Sequence, residues 1–195
     1  ALDVLTTAYD AATGAEQWKA RFDDDLSDDQ AVALEVNYNN NLVYVPVNAG
    51  ADIVTAEYAI SSGDEVSRWR YAGGSAADSA ISQAGGFMGV VGSRGSDFLV
   101  LSYATGMGVV EMEDRPVAGR AHSADISHTG SLNTIRTLLV TGQSSGFGTG
   151  GDLYTAAYNY RTHTKLWERS WASSWWRADS GAARTLSRSA PFWPP

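Results

Sequence analysis

The chain of 195 residues contains no cysteine. Without thiols it has no disulfide bond, no cysteine nucleophile and no cysteine-ligated metal site. Basic residues are also scarce: 14 lysines and arginines stand against 22 acidic residues, which gives a formal net charge of −8. Because nucleic-acid phosphates require a basic face, we expect no nucleic-acid partner. No apolar run approaches the roughly 18 residues of a membrane-spanning helix, so we also expect no membrane insertion.

What the chain does contain is a segment that recurs. The first copy begins near residue 3, and further copies begin near residues 52, 97 and 152, at steps of 49, 45 and 55 residues. Self-similarity at such a period predicts a repeat architecture. The 20 glycines suit a turn-rich β protein. We therefore expect one domain, residues 1–195, built from repeated units.

Each repeat has the pattern of four short strands. In the first copy, strands are predicted over 4–9 and 16–22, and Trp18, Ala20 and Phe22 alternate with polar residues as on a strand with one buried face. Two further strands are predicted after each of the first three copies, over 31–36 and 42–47, 79–83 and 87–92, and 123–127 and 137–142. Four strands per repeat with frequent turns predict an all-β fold, a β-propeller of four-stranded blades.

The first copy carries the motif Ala-x-Asp-x-x-Thr-Gly-x-Glu-x-Trp, formed by Ala8, Asp10, Thr13, Gly14 and Trp18. It resembles the tryptophan-docking motif of quinoprotein-like (PQQ-like) β-propellers, and the longer repeat is similar to bacterial secreted proteins with such repeats. The resemblance implies that the tryptophan packs onto the glycine-containing turn of a neighbouring blade.

The other copies match the motif in part. The fourth copy keeps Thr162 and Trp167 but has His163 at the glycine position. The second copy keeps Gly63, has Ser67 at the tryptophan position and places Trp69 two residues later, whereas the third keeps only the glycine, at position 108.

The phase of the repeats predicts the number of blades. The chain opens on the last two strands of a blade, three sets of four strands follow, and residues 175–195 are left to supply the missing two strands. We therefore predict four blades, in a ring closed by pairing the N- and C-terminal strands. Pro191, Pro194 and Pro195 oppose strand pairing there. Two alternatives stay open: the chain is part of a larger propeller, or another copy completes its edges.

Catalysis is not expected. The resemblance implies that quinone-dependent enzymes of this family use a larger propeller, typically of eight blades, and many also have a vicinal cysteine disulfide; this chain has half the repeats and no cysteine. The histidines at 122 and 128 with Asp125 do not share one strand face, and their spacing matches no zinc pattern. We expect no cofactor and no catalytic residue.

Two other groups of residues are candidate binding sites. The acidic run at 23–29 offers Asp23, Asp25 and Asp29 to calcium, although it departs from a calcium-binding loop because position six is not glycine; a solvated loop is the simpler interpretation. The C-terminal segment is rich in aromatic residues, and its candidates for binding a partner or a ligand are Trp175, Trp176, Arg177 and Trp193.

These patterns predict a structural or protein-interaction module that binds a protein partner or copies of itself, with self-assembly through the terminal segment as one route. The alternative is a lectin-like propeller whose aromatic residues stack on glycans. The chain starts at Ala1 without a signal peptide, as a processed secreted protein or a trimmed chain would. With the resemblance to secreted repeats, this leads us to expect an extracellular location.

Overall fold

The computed structural model describes residues 2–24, 28–82, 86–105, 109–128, 136–145 and 151–171. The regular secondary structure within these ranges consists of β-strands alone, so the ranges contain no helix able to cross a membrane. The strands are β1 (Val4–Tyr9), β2 (Glu16–Phe22), β3 (Asp29–Ala31), β4 (Glu35–Asn37), β5 (Leu42–Ala49), β6 (Asp52–Ala59), β7 (Glu65–Tyr71), β8 (Ser75–Ser82), β9 (Phe87–Arg94), β10 (Asp97–Ala104), β11 (Val109–Asp114), β12 (Gly119–His128), β13 (Arg136–Ser144), β14 (Asp152–Asn159) and β15 (Thr164–Trp171). The predicted all-β class is confirmed.

The strands form four antiparallel sheets in chain order. The first sheet pairs β1 with β2, and the second has the order β3-β5-β6-β7 with β4 also on β5. The third sheet contains β8 to β11 and the fourth contains β12 to β15. The chain thus opens on two strands and continues with three larger sheets, which is the predicted phase.

The first two strands have their predicted bounds. On β2 the side chains of Trp18, Ala20 and Phe22 are buried and the residues between them are exposed. This alternation follows from the two-residue period of a strand that covers a core with one face.

The strand predicted over 31–36 is wrong in one respect, because the structure divides it into β3 and β4. Both pair with β5, and Pro46 lies opposite the break. The carbonyl of Pro46 accepts the amide of Val32 at 2.9 Å, but its nitrogen, which faces the same side, carries no hydrogen. The ladder therefore loses one bond, and the chain bulges over residues 32–34.

Other strands are longer than predicted. The strand placed at 79–83 is Ser75–Ser82, and residue 83 lies outside the described ranges. The strand placed at 123–127 is Gly119–His128, and the one placed at 137–142 is Arg136–Ser144. The residues at these strand ends are small or polar and have low strand propensity, so the sequence did not predict the additional residue pairs. Pairing with the backbone of the neighbouring strands stabilises them.

Three buried clusters join neighbouring sheets face to face. Phe22 and Val4 of the first sheet pack with Val47 and Val54 of the second. Aromatic residues including Tyr44 join the second sheet to the third, and a further cluster joins the third to the fourth. The hydrophobic core therefore lies between successive sheets, while the predicted closure of a four-blade ring depends on residues outside the described ranges and stays a prediction.

Candidate functional site

The last two strands of each sheet form a hairpin with the same register. Trp18 pairs with Ala8 in the first hairpin, and Trp167 pairs with Ala157 in the fourth. Ser67 and Met112 occupy the matching positions in the second and third sheets. We call these four positions, 18, 67, 112 and 167, the docking positions. In all four hairpins a bulge follows immediately on the paired strand. The four docking positions are therefore equivalent in structure as well as in sequence.

The docking position of the first sheet is filled by Trp18, which lies on a turn of the second sheet. Its indole Nε1 donates a hydrogen bond of 2.6 Å to the carbonyl of Ile60. A β-carbon added at Gly63 would lie 2.6 Å from Cε3 of Trp18, so the ring packs directly on the glycine backbone. Gly63 also has a φ of +73°, which glycine adopts readily. Two sheets are thereby held together by a contact that requires both residues.

The turn that carries Gly14 in the first sheet has the same backbone geometry. Gly14 has a φ of +71°, and its amide donates to the carbonyl of Asp10 as that of Gly63 does to Ala59. The Asp10 carboxylate accepts the hydroxyl and amide of Thr13, both at 2.7 Å, and these bonds lower the pKa of Asp10. This turn is exposed, and nothing lies within 4 Å of a β-carbon added at Gly14.

The fourth sheet keeps this turn with different residues. Asn159 takes the place of Asp10 and accepts the amides of Arg161 and Thr162 at 3.0 and 3.2 Å. The Thr162 hydroxyl is 2.8 Å from that of Thr164. His163 stands at the glycine position with a φ of +55°, so the left-handed conformation is retained by a residue with a side chain.

The two middle interfaces use other side chains. Met112 fills the docking position of the third sheet and is 7% exposed. In the second sheet Ser67 donates a short hydrogen bond to the buried Glu57 and accepts the indole Nε1–H of Trp69 at 3.0 Å. Trp69 then lies between Tyr44 and Tyr103 with ring centroids 5.8 and 5.5 Å away. The next sheet covers each of these groups.

The docking position of the fourth sheet is different because it is open. Trp167 is 41% exposed although its counterpart Trp18 is only 8% exposed. Leu153 and Trp171, which match the buried Val4 and Phe22, are also more than half exposed. A groove of about 450 Å³ runs over this surface, lined by Trp167 and by residues of β12, β13 and β14. We call this surface the tryptophan face.

The first sheet has an open surface on its opposite side. Leu5 and Tyr9 are 59% and 62% exposed, whereas Val54 and Tyr58 at the matching positions of the second sheet are almost fully buried. We call this surface, with the Gly14 turn, the glycine face. Among the described residues, the stack of sheets thus ends in two uncovered apolar surfaces. The equivalent surface of each of the other sheets is covered by a neighbouring sheet.

Sequence reasoning missed a set of ion pairs that also recur. Arg21 binds Asp3, Arg70 binds Asp52 at 2.7 Å, and Arg115 lies 3.7 Å from Asp97. Each arginine follows its aspartate by 18 residues, a spacing that is visible in the sequence.

Arg70 has a further role because it also binds Asp24, which lies just after β2, at 2.5 Å. The two carboxylates raise the pKa of Arg70, Asp24 contributing most. This ion pair joins the first two sheets on the outside, where solvent screens it.

In the acidic run, the structure brings together a different set of carboxylates from the one predicted to bind calcium. Asp23 and Asp29 come together with Asp3, their carboxylate oxygens lying within 4.8 Å of one another, while residue 25 lies outside the described ranges. The Arg21 guanidinium contacts both Asp3 and Asp23, the latter at 3.0 Å. The cluster therefore already holds a cation of its own, and a calcium site there stays a prediction.

The carboxylate of Glu35, on β4 of the second sheet, has a raised pKa. Burial raises the pKa of Glu35, and the charges of Asp78 and Asp125, each on the first strand of its own sheet, add to the effect. The hydroxyl of Ser79 donates to Glu35 at 3.1 Å and opposes it. Strands β4, β8 and β12 of three neighbouring sheets thus bring acidic side chains near one another.

The aromatic candidates of the C-terminal segment, Trp175, Trp176, Arg177 and Trp193, lie outside the described residues. Comparison of the chain with models of known protein families found no match, and comparison with curated proteins found none.

Proposed function

We propose that this chain is a non-catalytic structural module that acts through protein–protein contacts. The observation that carries the proposal is the pair of open surfaces, the tryptophan face and the glycine face. Exposed apolar patches of this kind mark interaction sites on soluble proteins, and tryptophan is enriched among the residues that dominate binding energy.

The four stacked sheets support the finer proposal that they are blades of a propeller similar to the PQQ-like type. The indole of Trp18 on the Gly63 turn has the arrangement that the resemblance implies. The four-blade count belongs to this proposal as well. The two uncovered faces support completion of the edges by another copy, the alternative left open by the sequence, over closure by the chain's own terminal strands. The proposed location at the cell exterior rests on the resemblance to secreted bacterial repeats.

The second candidate is a lectin-like module, and the groove beside Trp167 favours it. An exposed indole edged by polar groups such as those of Asp125 and Thr155 offers a stacking surface with hydrogen-bonding partners for a sugar ring. The two functions differ in what binds the same surface.

Light scattering of the purified full chain over a range of concentrations, together with a glycan array, tests the proposal. We expect a mass that rises with concentration and no glycan retained. Glycan binding that is lost when Trp167 is replaced by serine would instead support the lectin. A variant with serine at positions 175, 176 and 193 shows whether the C-terminal aromatics take part. Turnover with added quinone and calcium would refute the non-catalytic assignment, and we expect none.

A further inference from the structure

The contact between the first and second sheets gives the pattern for a further one. On one side it presents Trp18 and Phe22, and on the other the Gly63 turn with the carbonyl of Ile60. Arg68 of the second sheet completes it, its guanidinium lying 4.8 Å from the centroid of the Phe22 ring. Shape, one hydrogen bond, one cation–π contact and the Arg70–Asp24 ion pair therefore define the register of this interface.

The two open faces carry matching docking groups, one half at each end of the stack, with Arg169 in place of the buried Ala20 between the two tryptophans. The tryptophan face has Trp167 and Trp171 at the positions of Trp18 and Phe22. The glycine face has the exposed Gly14 turn at the position of the Gly63 turn, and the exposed residue Ala11 at the position of Ile60, whose carbonyl accepts the indole of Trp18.

The cationic side chain of this interface also recurs on the glycine face. Lys19 occupies the position of Arg68, and each forms an ion pair with a glutamate three residues earlier, at 3.0 Å for Lys19 and 2.6 Å for Arg68. Placed in the same register, Lys19 would lie over the indole of Trp171.

We propose that a second copy of this chain docks head to tail, with Trp167 of one copy on the Gly14 turn of the other. This inference rests on the proposed function and names its partner and its contacts. Within the described ranges neither face is covered by its own chain, and each is complementary to the other, so a second copy supplies what each lacks. Such a contact uses two different surfaces and gives a ring or a filament, depending on the rotation between copies.

The test uses two single variants that each remove one half of the contact. Trp167→Ser places in the fourth sheet the residue that the second sheet has at its docking position. Gly14→Ala adds a β-carbon that would meet the incoming indole, as one at Gly63 would meet Trp18 at 2.6 Å. Tyr38→Ser is the matched control, because Tyr38 is an exposed aromatic in the β4–β5 turn of an inner sheet.

Sedimentation velocity and light scattering measure the result on the full chain. We expect assembly of the unmodified chain and of Tyr38→Ser, and a loss of affinity of about 30-fold or more for each of the other two variants, as for a central aromatic anchor. An equimolar mixture of Trp167→Ser and Gly14→Ala retains one intact pair of faces, so it should form dimers and nothing larger.

One outcome would overturn the inference while leaving the proposed function standing. If the unmodified chain assembles and both variants assemble equally well, the copies meet through another surface. If the unmodified chain is monomeric at every concentration, both proposals fail. A short bis-maleimide cross-link between cysteines placed at Leu166 and Ala12 of one chain would then show that the tryptophan face packs on the Gly14 turn of its own chain. Since the native chain has no cysteine, the cross-link reports this pair alone. Glycan binding to the tryptophan face would reject both proposals.

Discussion

Replacing Gly63 by alanine should separate the sheets, whereas the same replacement at Gly14 should not. Both glycines have left-handed conformations, with φ of +73° and +71°, and both lie in turns with the same backbone hydrogen bonds. The added β-carbon at Gly63 would lie 2.6 Å from Cε3 and 2.7 Å from Cδ2 of Trp18. At Gly14 it meets nothing within 4 Å. Comparing the two variants therefore distinguishes the stability lost through backbone strain from the stability lost with the docking contact.

The strain common to both variants is about 1–2 kcal/mol, the cost of a left-handed conformation for a residue with a β-carbon. Gly63→Ala also displaces the Trp18 ring. This loses the hydrogen bond to Ile60, about 1 kcal/mol, and part of the roughly 3–5 kcal/mol that truncation of a buried tryptophan costs. We expect Gly63→Ala to lose about 2–4 kcal/mol more than Gly14→Ala.

The free energy of unfolding in urea, measured at a concentration where the chain is monomeric, gives the comparison. Intrinsic tryptophan fluorescence should also shift to the red for Gly63→Ala, as Trp18 becomes solvated. Equal losses of stability in the two variants would refute the argument, since the docking contact would then contribute nothing measurable.

Three further predictions concern charged groups. Because the pKa of Glu35 is raised from its ordinary value of 4.5, the stability should fall as pH rises from 4.5 through the raised value; Glu35→Gln keeps an acceptor for Ser79 and should flatten this fall in thermal melts. The pKa of Asp10 is lowered from 3.8, so its contribution is present above pH 3.8 and lost as pH falls through its lowered value; Asp10→Asn keeps the turn acceptor and should remove that acid loss. Arg70→Met breaks the ion pairs with Asp24 and Asp52 and should cost about 1 kcal/mol or less, as these groups are substantially exposed; the difference in urea denaturation should shrink further at 1 M salt, and a loss that salt leaves unchanged would contradict a screened ion pair.

Much of the local structure could be predicted from the sequence. The alternation around Trp18 predicted the bounds and buried face of β2, and the recurring segments placed the hairpins. The break between β3 and β4 was missed because its cause, Pro46, lies on the neighbouring strand. The ion pair of Arg70 with Asp52 was visible as a repeated spacing, but its contact with Asp24 joins two sheets and has no sequence signal.

The two docking tryptophans separate what each level of structure determines. Trp18 and Trp167 lie in copies of the same segment, on strands of the same register, each opposite an alanine and next to a bulge. The sequence alone determined the recurrence of the segment and its strand–turn–strand pattern, because strand period and turn chemistry are local properties, whereas the pairing register and the bulge were seen only in the structure. Only the tertiary structure decided that Trp18 is buried and Trp167 exposed. Burial depends on whether another sheet lies against the ring, and that sheet comes from a distant part of the chain or, as we propose for Trp167, from another copy.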